Sequence, residues 1–404
     1  MKTIILMITC SVIGICTSIG QEKIQSLTVQ QKQQDFEYLY HELKEAYPYF
    51  EINKRQHGVD WLGNKEKYRK KMMESKSDVA FFQALESIIN DLNNGHTDMY
   101  PTLKHAYFYK AYKNAPKSYL PYVKELEKFG APHKSTYWSK IHTTLWQQQQ
   151  KKTIAEKPAS IELPKANLHM QFDEARQLAL LQVRAFGYEH IEKDRAKLKQ
   201  FFNKAHRYKN LVIDIQGNTG GDDTYWIDNV IGHLIAKPIT YPVIFAFKRA
   251  KRIRRFKPSY VHNASYRDLN LPKLPPELQT DQYSFRKTSN RIAAHPWGKK
   301  YQGNIYLLVD QAVYSSAESL AYFCRATRFA TIVGQTTGGD GIGTDPLLLT
   351  LPNSGIVLRF TGEMALNVDG SANEEVKTIP DLILPGKTRK ARLGQLMKML
   401  DNKK

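Results

Sequence analysis

Between Leu178 and Phe360 the chain repeats one device: a short apolar, β-branched run followed by a break, with stretches of helical periodicity between several of the runs. The runs are Leu178–Val183, Leu211–Ile215, Ile305–Val309, Ala330–Val333 and Ile356–Phe360. A strand with no polar alternation has both faces to bury, and helices alternating with such strands supply the cover. The pattern therefore predicts a layered α/β domain.

The breaks after two of these runs carry chemistry. Ile305–Val309 is followed by Tyr314-Ser315-Ser316-Ala317-Glu318, which places a serine at a strand-to-helix junction. Free N–H groups of a helix start, with the positive end of its dipole, can stabilise an oxyanion there. Serine is equally the ordinary N-cap residue, so the pentapeptide alone leaves both readings open. Leu211–Ile215 breaks into Gln216-Gly217-Asn218-Thr219-Gly220-Gly221, where glycines let the backbone approach a ligand and aim its N–H groups into a concavity. A third segment, Asn93-Asn94-Gly95-His96-Thr97, follows an amphipathic stretch with apolar residues at Phe81, Phe82, Leu85, Ile88, Ile89 and Leu92. Asn94-Gly95 is expected to form that helix's left-handed cap and to present His96 rigidly just beyond it. A serine, a donor turn and a fixed histidine are the parts of an acyl-transfer site.

The order of these motifs resembles the S41 peptidases, which include the tail-specific proteases, the tricorn protease core and the interphotoreceptor retinoid-binding repeats. Two further stretches add to the resemblance, Ala330 through Gly339 and Glu374 through Pro380-Asp381-Leu382-Ile383. The resemblance, which covers roughly residues 166–390 and the helix ending before His96, implies a crotonase/ClpP-like ββα spiral catalytic domain, assigned to 166–404; the residues before it are assigned to an N-terminal helical domain and connecting region over 21–165. It also implies a choice between two catalytic schemes. The tail-specific branch uses a serine and a lysine, but the turn that would hold that lysine reads Gly338-Gly339-Asp340-Gly341. The tricorn-like branch uses a histidine in a Gly-His-Thr-type motif and a glutamate shortly before Pro-Asp, which match His96 and Glu374. Where the tricorn core has a serine before its histidine, this chain has Gly95.

By that resemblance Ser315 is the nucleophile, His96 the base that takes its proton, and Glu374 the carboxylate that holds the imidazole. Glu375 is the alternative one residue away. Gly220, Gly221 and the amide of Ser316 are the expected oxyanion donors. Glu318 is expected to be structural, a carboxylate in a first helical turn. The activity implied is hydrolysis of peptide bonds in polypeptides through an acyl-enzyme. A non-catalytic binder of apolar ligands on the same scaffold is the rival reading, and the presence of Ser315, His96 and Glu374 together argues against it. No metal-binding His-x-x-x-His or His-Glu-x-x-His pattern occurs and no cofactor is expected.

Residues 1–20 have the pattern of a secretory leader: Lys2, an apolar stretch from Ile4 to Ile15, and Ser18-Ile19-Gly20 before a cleavage site. Cys10 and Cys16 lie within it without the small preceding residue a lipoprotein anchor needs, so an exported protein with no stable membrane anchor is expected. Only Cys324 would remain, on the helix after Ser315, as inert packing. The net charge of +20 and pI of about 9.5 raise the question of nucleic acid. No zinc-finger or RNP signature accompanies the charge, and an exported protein rarely meets nucleic acid as a designed partner. The densest basic run, Lys248 to Lys257, follows the strand-like Pro242–Phe247 and is expected to form a cationic hairpin. Arg252, Arg254 and Arg255 are its candidates for binding carboxylates of a substrate.

At the N-terminal end, Thr28-Val29-Gln30-Gln31 predicts a capping box opening a helix with a stripe of Phe36, Leu39, Tyr40, Leu43 and Tyr47, stopped by Pro48. More helix is expected around Trp61-Leu62 and Tyr68, giving a small bundle. Residues 101–165, rich in Lys, Tyr and Gln, show no carboxylate-binding loop of the PDZ kind and are expected to be helical or irregular connecting structure.

Overall fold

The computed structural model describes residues 26–100, 102–156, 166–260, 264–339 and 344–402. The expected leader and Asp340 lie outside the described residues. Helix α1 (Val29–Ala46) opens with the capping box, Gln31 N–H donating to Thr28 Oγ1 and Thr28 N–H to Gln31 Oε1. It ends ahead of Pro48, whose ring disfavours helical geometry in the preceding residue. Helices α2 (Phe50–His57), α3 (Lys65–Met73) and α4 (Asp78–Asn90) follow. Trp61 and Leu62 lie in a turn rather than a helix, because Trp61 is drawn inward to donate its indole N–H to the Ile88 carbonyl at 2.9 Å. A two-residue strand β1 (Asp98–Met99) leads to α5 (Thr102–Lys113), α6 (Leu120–Leu126) and the long α7 (Ala131–Glu156), so the connecting region is mostly helical.

Next come β2 (Leu168–Asp173), β3 (Leu178–Val183), α8 (Tyr188–Ala205) and β4 (Asn210–Asp214). Helix α9 (Asp223–Trp226) runs through a π-helical turn (Ile227–Ile231) into α10 (Gly232–Leu234), then β5 (Ile239–Lys248), α11 (Lys251–Phe256), β6 (Tyr283–Ile292) and β7 (Asn304–Val309). Helix α12 (Ser316–Thr327), β8 (Thr331–Gly334), β9 (Leu347–Thr350), β10 (Val357–Phe360) and β11 (Met364–Leu366) follow, and α13 (Asn373–Val376), β12 (Leu382–Ile383) and α14 (Arg389–Asp401) complete the chain.

A six-stranded sheet in the order β12-β8-β7-β4-β3-β2 forms the centre, parallel except for β2. Its continuous apolar runs are explained by cover on both faces. Leu211 and Ile213 of β4 and Leu307 and Val309 of β7 point into a core with α8, α9 and α12. Val212, Tyr306 and Leu308, one step out of phase, pack with Leu396 and Leu400 of α14 on the opposite side. The run at Ile356–Phe360 belongs elsewhere: β10 pairs antiparallel with β9 and with β1, the strand just after His96. A third sheet, β11-β5-β6, is also antiparallel.

The N-terminal helices do not form a separate core. Phe36, Phe81, Leu85 and Trp138 share one cluster with Ile244 of β5, Leu349 of β9 and Leu358 of β10. The β1–β10 pairing and this shared core fasten the His96 loop onto the α/β part of the chain.

Candidate active site

The nucleophile candidate sits where β7 turns into α12. The turn is tied down before it reaches Ser315. Asp310 Oδ1 accepts the N–H groups of Gly217 (2.8 Å) and Ala312 (3.1 Å), and Arg392 holds its other oxygen at 3.0 Å. The loop after β4 and the loop after β7 are thus locked to each other. Tyr314 N–H donates to the Asn218 carbonyl at 3.3 Å, and Ser315 N–H to that of Gly339 at 3.4 Å.

Ser315 itself has φ 56° and ψ −129°, a region that L-residues rarely occupy and that costs on the order of 1–3 kcal/mol. It precedes α12 as an N-cap would, yet its side chain makes no capping bond. Its Oγ lies instead 3.0 Å from His96 Nε2. The capping role open in the sequence is therefore not the one the hydroxyl performs.

His96 is delivered by a loop whose organiser is Asn94. The Asn94 Oδ1 accepts the His96 N–H (3.1 Å), the Thr97 hydroxyl (3.0 Å) and the Thr361 hydroxyl (3.0 Å), the last from just beyond β10. The left-handed residue after α4 is Asn93 (φ 51°), not the expected Asn94-Gly95 pair. Asn tolerates that conformation because its short polar side chain can bond locally, and Asn93 Nδ2 donates to the Asp91 carbonyl at 3.1 Å. Gly95 serves a different purpose. A Cβ there would stand 2.9 Å from the Tyr314 ring, which tilts against the His96 imidazole at 5.2 Å between centroids. Thr97, buried, spends its hydroxyl on Asn94.

The two acidic candidates part company. Glu375 forms a two-point ion pair with Arg55, both bonds at 2.8 Å, on the outer side of α13. Glu374 lines a narrow hollow with Tyr47, Tyr49, Asn93 and Asn94, beside the histidine loop. Its carboxylate borders Gly339, the residue whose carbonyl accepts from Ser315. A Cβ on Gly339 would lie 3.2 Å from Glu374 Oε2.

The glycine turn after β4 is pressed against the serine. With φ 99°, Gly220 places its missing Cβ 2.8 Å from both Ser315 Cβ and Ser316 N. Its N–H, however, is already given to Asn218 Oδ1 at 2.9 Å, so Gly220 is corrected from oxyanion donor to spacer. Gly221 and Ser316 keep N–H groups that donate to no acceptor among the described residues; Ser316 directly follows Ser315, whereas Gly221, the residue after Gly220, packs against the backbone of Phe186 and Gly187.

The basic segment departs from expectation. It forms helix α11, not a hairpin arm, because Ile253 and Phe256 are apolar positions three apart that pack into the core shared with α1 and β9. Arg252 is only 7% exposed and is fully used, donating to Glu42 (2.6 Å), Glu125 (3.3 Å), the Leu348 carbonyl (2.6 Å) and the Tyr38 hydroxyl (3.0 Å). Arg255 pairs with Glu125 at 2.8 Å. Only Arg254 of the three is exposed, on the rim of a cleft of about 610 Å³ with Arg249 and Lys251. Cys324 is buried, which pushes its thiol pKa up and keeps it unreactive. Among the described residues no cluster of His, Cys, Asp or Glu could hold a metal ion.

A serine strained at a strand-to-helix junction, with an imidazole at hydrogen-bond distance and the Ser316 N–H next to it, is an arrangement suited to a serine hydrolase. The chain belongs to peptidase family S41, whose profile matches residues 177–384. No curated protein sequence matches it. Among solved structures it is similar to mature CPAF complexed with lactacystin, at 14% identity and TM-score 0.58 over 93% of this chain and 97% of that one. It is similar too to a peptidase candidate from Parabacteroides merdae ATCC 43184, at 16% identity and TM-score 0.56 over 91% and 96%. The photosystem II D1 C-terminal processing protease superposes more loosely, at 12% identity and TM-score 0.46 over 91% and 97%. The fold is thus that of the S41 peptidases, a ClpP-like α/β spiral, and the chain is a peptidase of the serine type.

Proposed function

We propose that the protein is an exported serine peptidase that hydrolyses peptide bonds of polypeptides through a Ser-His-Glu acyl-enzyme mechanism. The observation that carries this reading is the 3.0 Å approach of Ser315 Oγ to His96 Nε2. Ser315 Oγ attacks the scissile carbonyl as His96 Nε2 takes its proton. The carbonyl oxygen, now an anion, swings toward the N–H groups of Gly221 and Ser316. Collapse of this intermediate breaks the C–N bond, and His96 returns the proton to the departing amine. A water, deprotonated by the same imidazole, then releases the acid. Glu374 holds the ring's tautomer and balances the imidazolium.

Export rests on the leader-like pattern of residues 1–20, and among the described residues no helix is long and apolar enough to cross a membrane. Arg254, with Arg249 and Lys251, is offered as a contact for acidic substrate groups. A binding-only protein would have no use for the strained backbone at Ser315, which disfavours the rival apolar-ligand reading.

The test is pre-steady-state kinetics on an ester or peptide reporter. The wild type should show a burst of leaving group equal to one per chain, and His96→Gln should slow that burst by several orders of magnitude, on the scale of about 10⁴. A burst of undiminished rate in His96→Gln would refute the mechanism.

A further inference from the structure

The carboxyl group of Glu318 has a place that a first-turn carboxylate on a solvated helix would not occupy. Its side chain is 0% exposed, and it forms no ion pair with any described residue. Glu318 Oε1 accepts from Asn373 Nδ2 at 3.0 Å and from the Thr378 hydroxyl at 2.6 Å. Those two residues bracket α13. Asn373 is its first residue, Thr378 lies two residues past its last, and Glu374 stands between them.

A helix of four residues cannot hold itself, since one turn fixes several dihedrals for a single hydrogen bond. Its position has to be imposed from outside. The far end is fixed again by Thr337, whose N–H donates to the Thr378 carbonyl (3.2 Å) and whose hydroxyl accepts the Thr378 N–H (2.9 Å). Glu318, three residues after Ser315, therefore connects the helix behind the nucleophile to both ends of the turn that carries the acid.

We infer that Glu318 is a positioning residue, fixing Glu374 relative to Ser315 and His96 by gripping α13 at Asn373 and Thr378. The inference rests on the Ser-His-Glu reading. Burial raises the Glu318 pKa, against the opposing effect of its hydrogen bonds with Thr337, Thr378 and Asn373. Glutamine keeps an acceptor oxygen and the length, so it should substitute. Alanine removes the grip.

The experiment measures kcat, KM and the acidic limb of the pH–rate profile, normalised to titrated active sites. The proteins are wild type, Glu318→Gln, Glu318→Ala, Thr378→Val, Glu374→Gln and the Glu318→Ala/Glu374→Gln double variant. Normalisation removes any fraction that fails to fold, and Thr378→Val loosens the same grip without opening a cavity. Glu318→Ala should lose about 10² in kcat with KM little changed. Its acidic limb should move in the same direction as that of Glu374→Gln, and the double variant should be no slower than Glu374→Gln alone. Glu318→Gln should retain wild-type kcat, and Thr378→Val should fall between it and Glu318→Ala. A Glu318→Ala enzyme with wild-type normalised kcat and acidic limb would overturn the inference, as would losses in the double variant that multiply. Wild-type rates in Glu374→Gln would instead overturn the Ser-His-Glu reading beneath it.

Discussion

Replacing Gly220 by alanine tests how the glycine turn and the serine are fitted together. Two costs can be separated. The backbone at φ 99° disfavours any L-residue, by about 1–3 kcal/mol. The added Cβ would lie 2.7 Å from the Tyr314 carbonyl oxygen and 2.8 Å from Ser315 Cβ and Ser316 N. Two of those three atoms are backbone of the β7–α12 junction and cannot rotate aside, so the junction itself must shift, at about 1–3 kcal/mol for overpacking. The sum is a destabilisation of about 2–6 kcal/mol. The catalytic cost follows from what moves. Displacing the Ser316 N–H from an oxyanion should cost about 10²–10³ in turnover even in the fraction that folds. Gly58→Ala is the control, since Gly58 also has positive φ (70°) but nothing lies within 4 Å of its Cβ position. It should show the backbone cost alone and full activity. Denaturant unfolding and active-site-normalised turnover of both variants decide the matter. A Gly220→Ala enzyme as active as Gly58→Ala would refute the claim that this turn is packed against the reacting atoms.

Arg252→Gln should destabilise by about 3–5 kcal/mol because it breaks the buried pair with Glu42 and takes a donor from the Leu348 carbonyl, Glu125 keeping Arg255 and Lys128, while leaving KM unchanged in the folded fraction. Arg254→Gln should leave stability within about 0.5 kcal/mol, and if the cleft takes acidic substrates, it should raise their KM and weaken its salt dependence. Glu375→Gln should keep near-wild-type turnover in the same assay that slows Glu374→Gln, because its carboxylate serves the outer pair with Arg55. For Glu318 the folded pKa lies above the unfolded one, so its contribution is full below the ordinary glutamate range and is lost as pH rises toward the folded value. Thermal unfolding should therefore show Glu318→Gln gaining stability relative to wild type as pH is raised from the ordinary glutamate range. The α13 segment packed against it carries Glu374, Glu375 and Lys377, so the same series in Glu374→Gln is the check on their influence.

The central sheet was legible because its strands are buried on both faces and so appear as unbroken apolar runs; Leu178–Val183 coincides with β3, and the others start or end within one residue of observed strands. Less visible were strands whose faces differ. β2 is half exposed, and β6 is mostly exposed or half-buried beyond Phe285; it pairs with β5, which contains the strand-like Pro242–Phe247, and the long connection between the two holds the basic helix. That helix was misread because charge density suggested a solvated arm, whereas Ile253 and Phe256 pull it into the core and draw Arg252 in with them. At the site, Ser315 and His96 were identifiable from motif order, and the structure brings them into contact across 219 residues. What the motifs could not reveal depends on spatial neighbours. Gly220 spends its N–H on Asn218, Gly95 makes room for Tyr314, and Glu318 is enclosed by Asn373 and Thr378 from a segment some 55 residues away. The one local clue to the Gly220 bond was the Asn two residues before it, since Asn side chains commonly bond their own backbone at that spacing.

The central claim is that Ser315, made nucleophilic by His96, forms the covalent bond with the substrate's acyl group. The most direct measurement is labelling with a fluorophosphonate probe, followed by peptide mapping of the modified residue, on wild type, Ser315→Ala and His96→Gln. The account predicts one label per chain on Ser315 in the wild type, none in Ser315→Ala, and labelling slowed by orders of magnitude in His96→Gln. Label on Ser316, or labelling of Ser315 at an undiminished rate in His96→Gln, would contradict it.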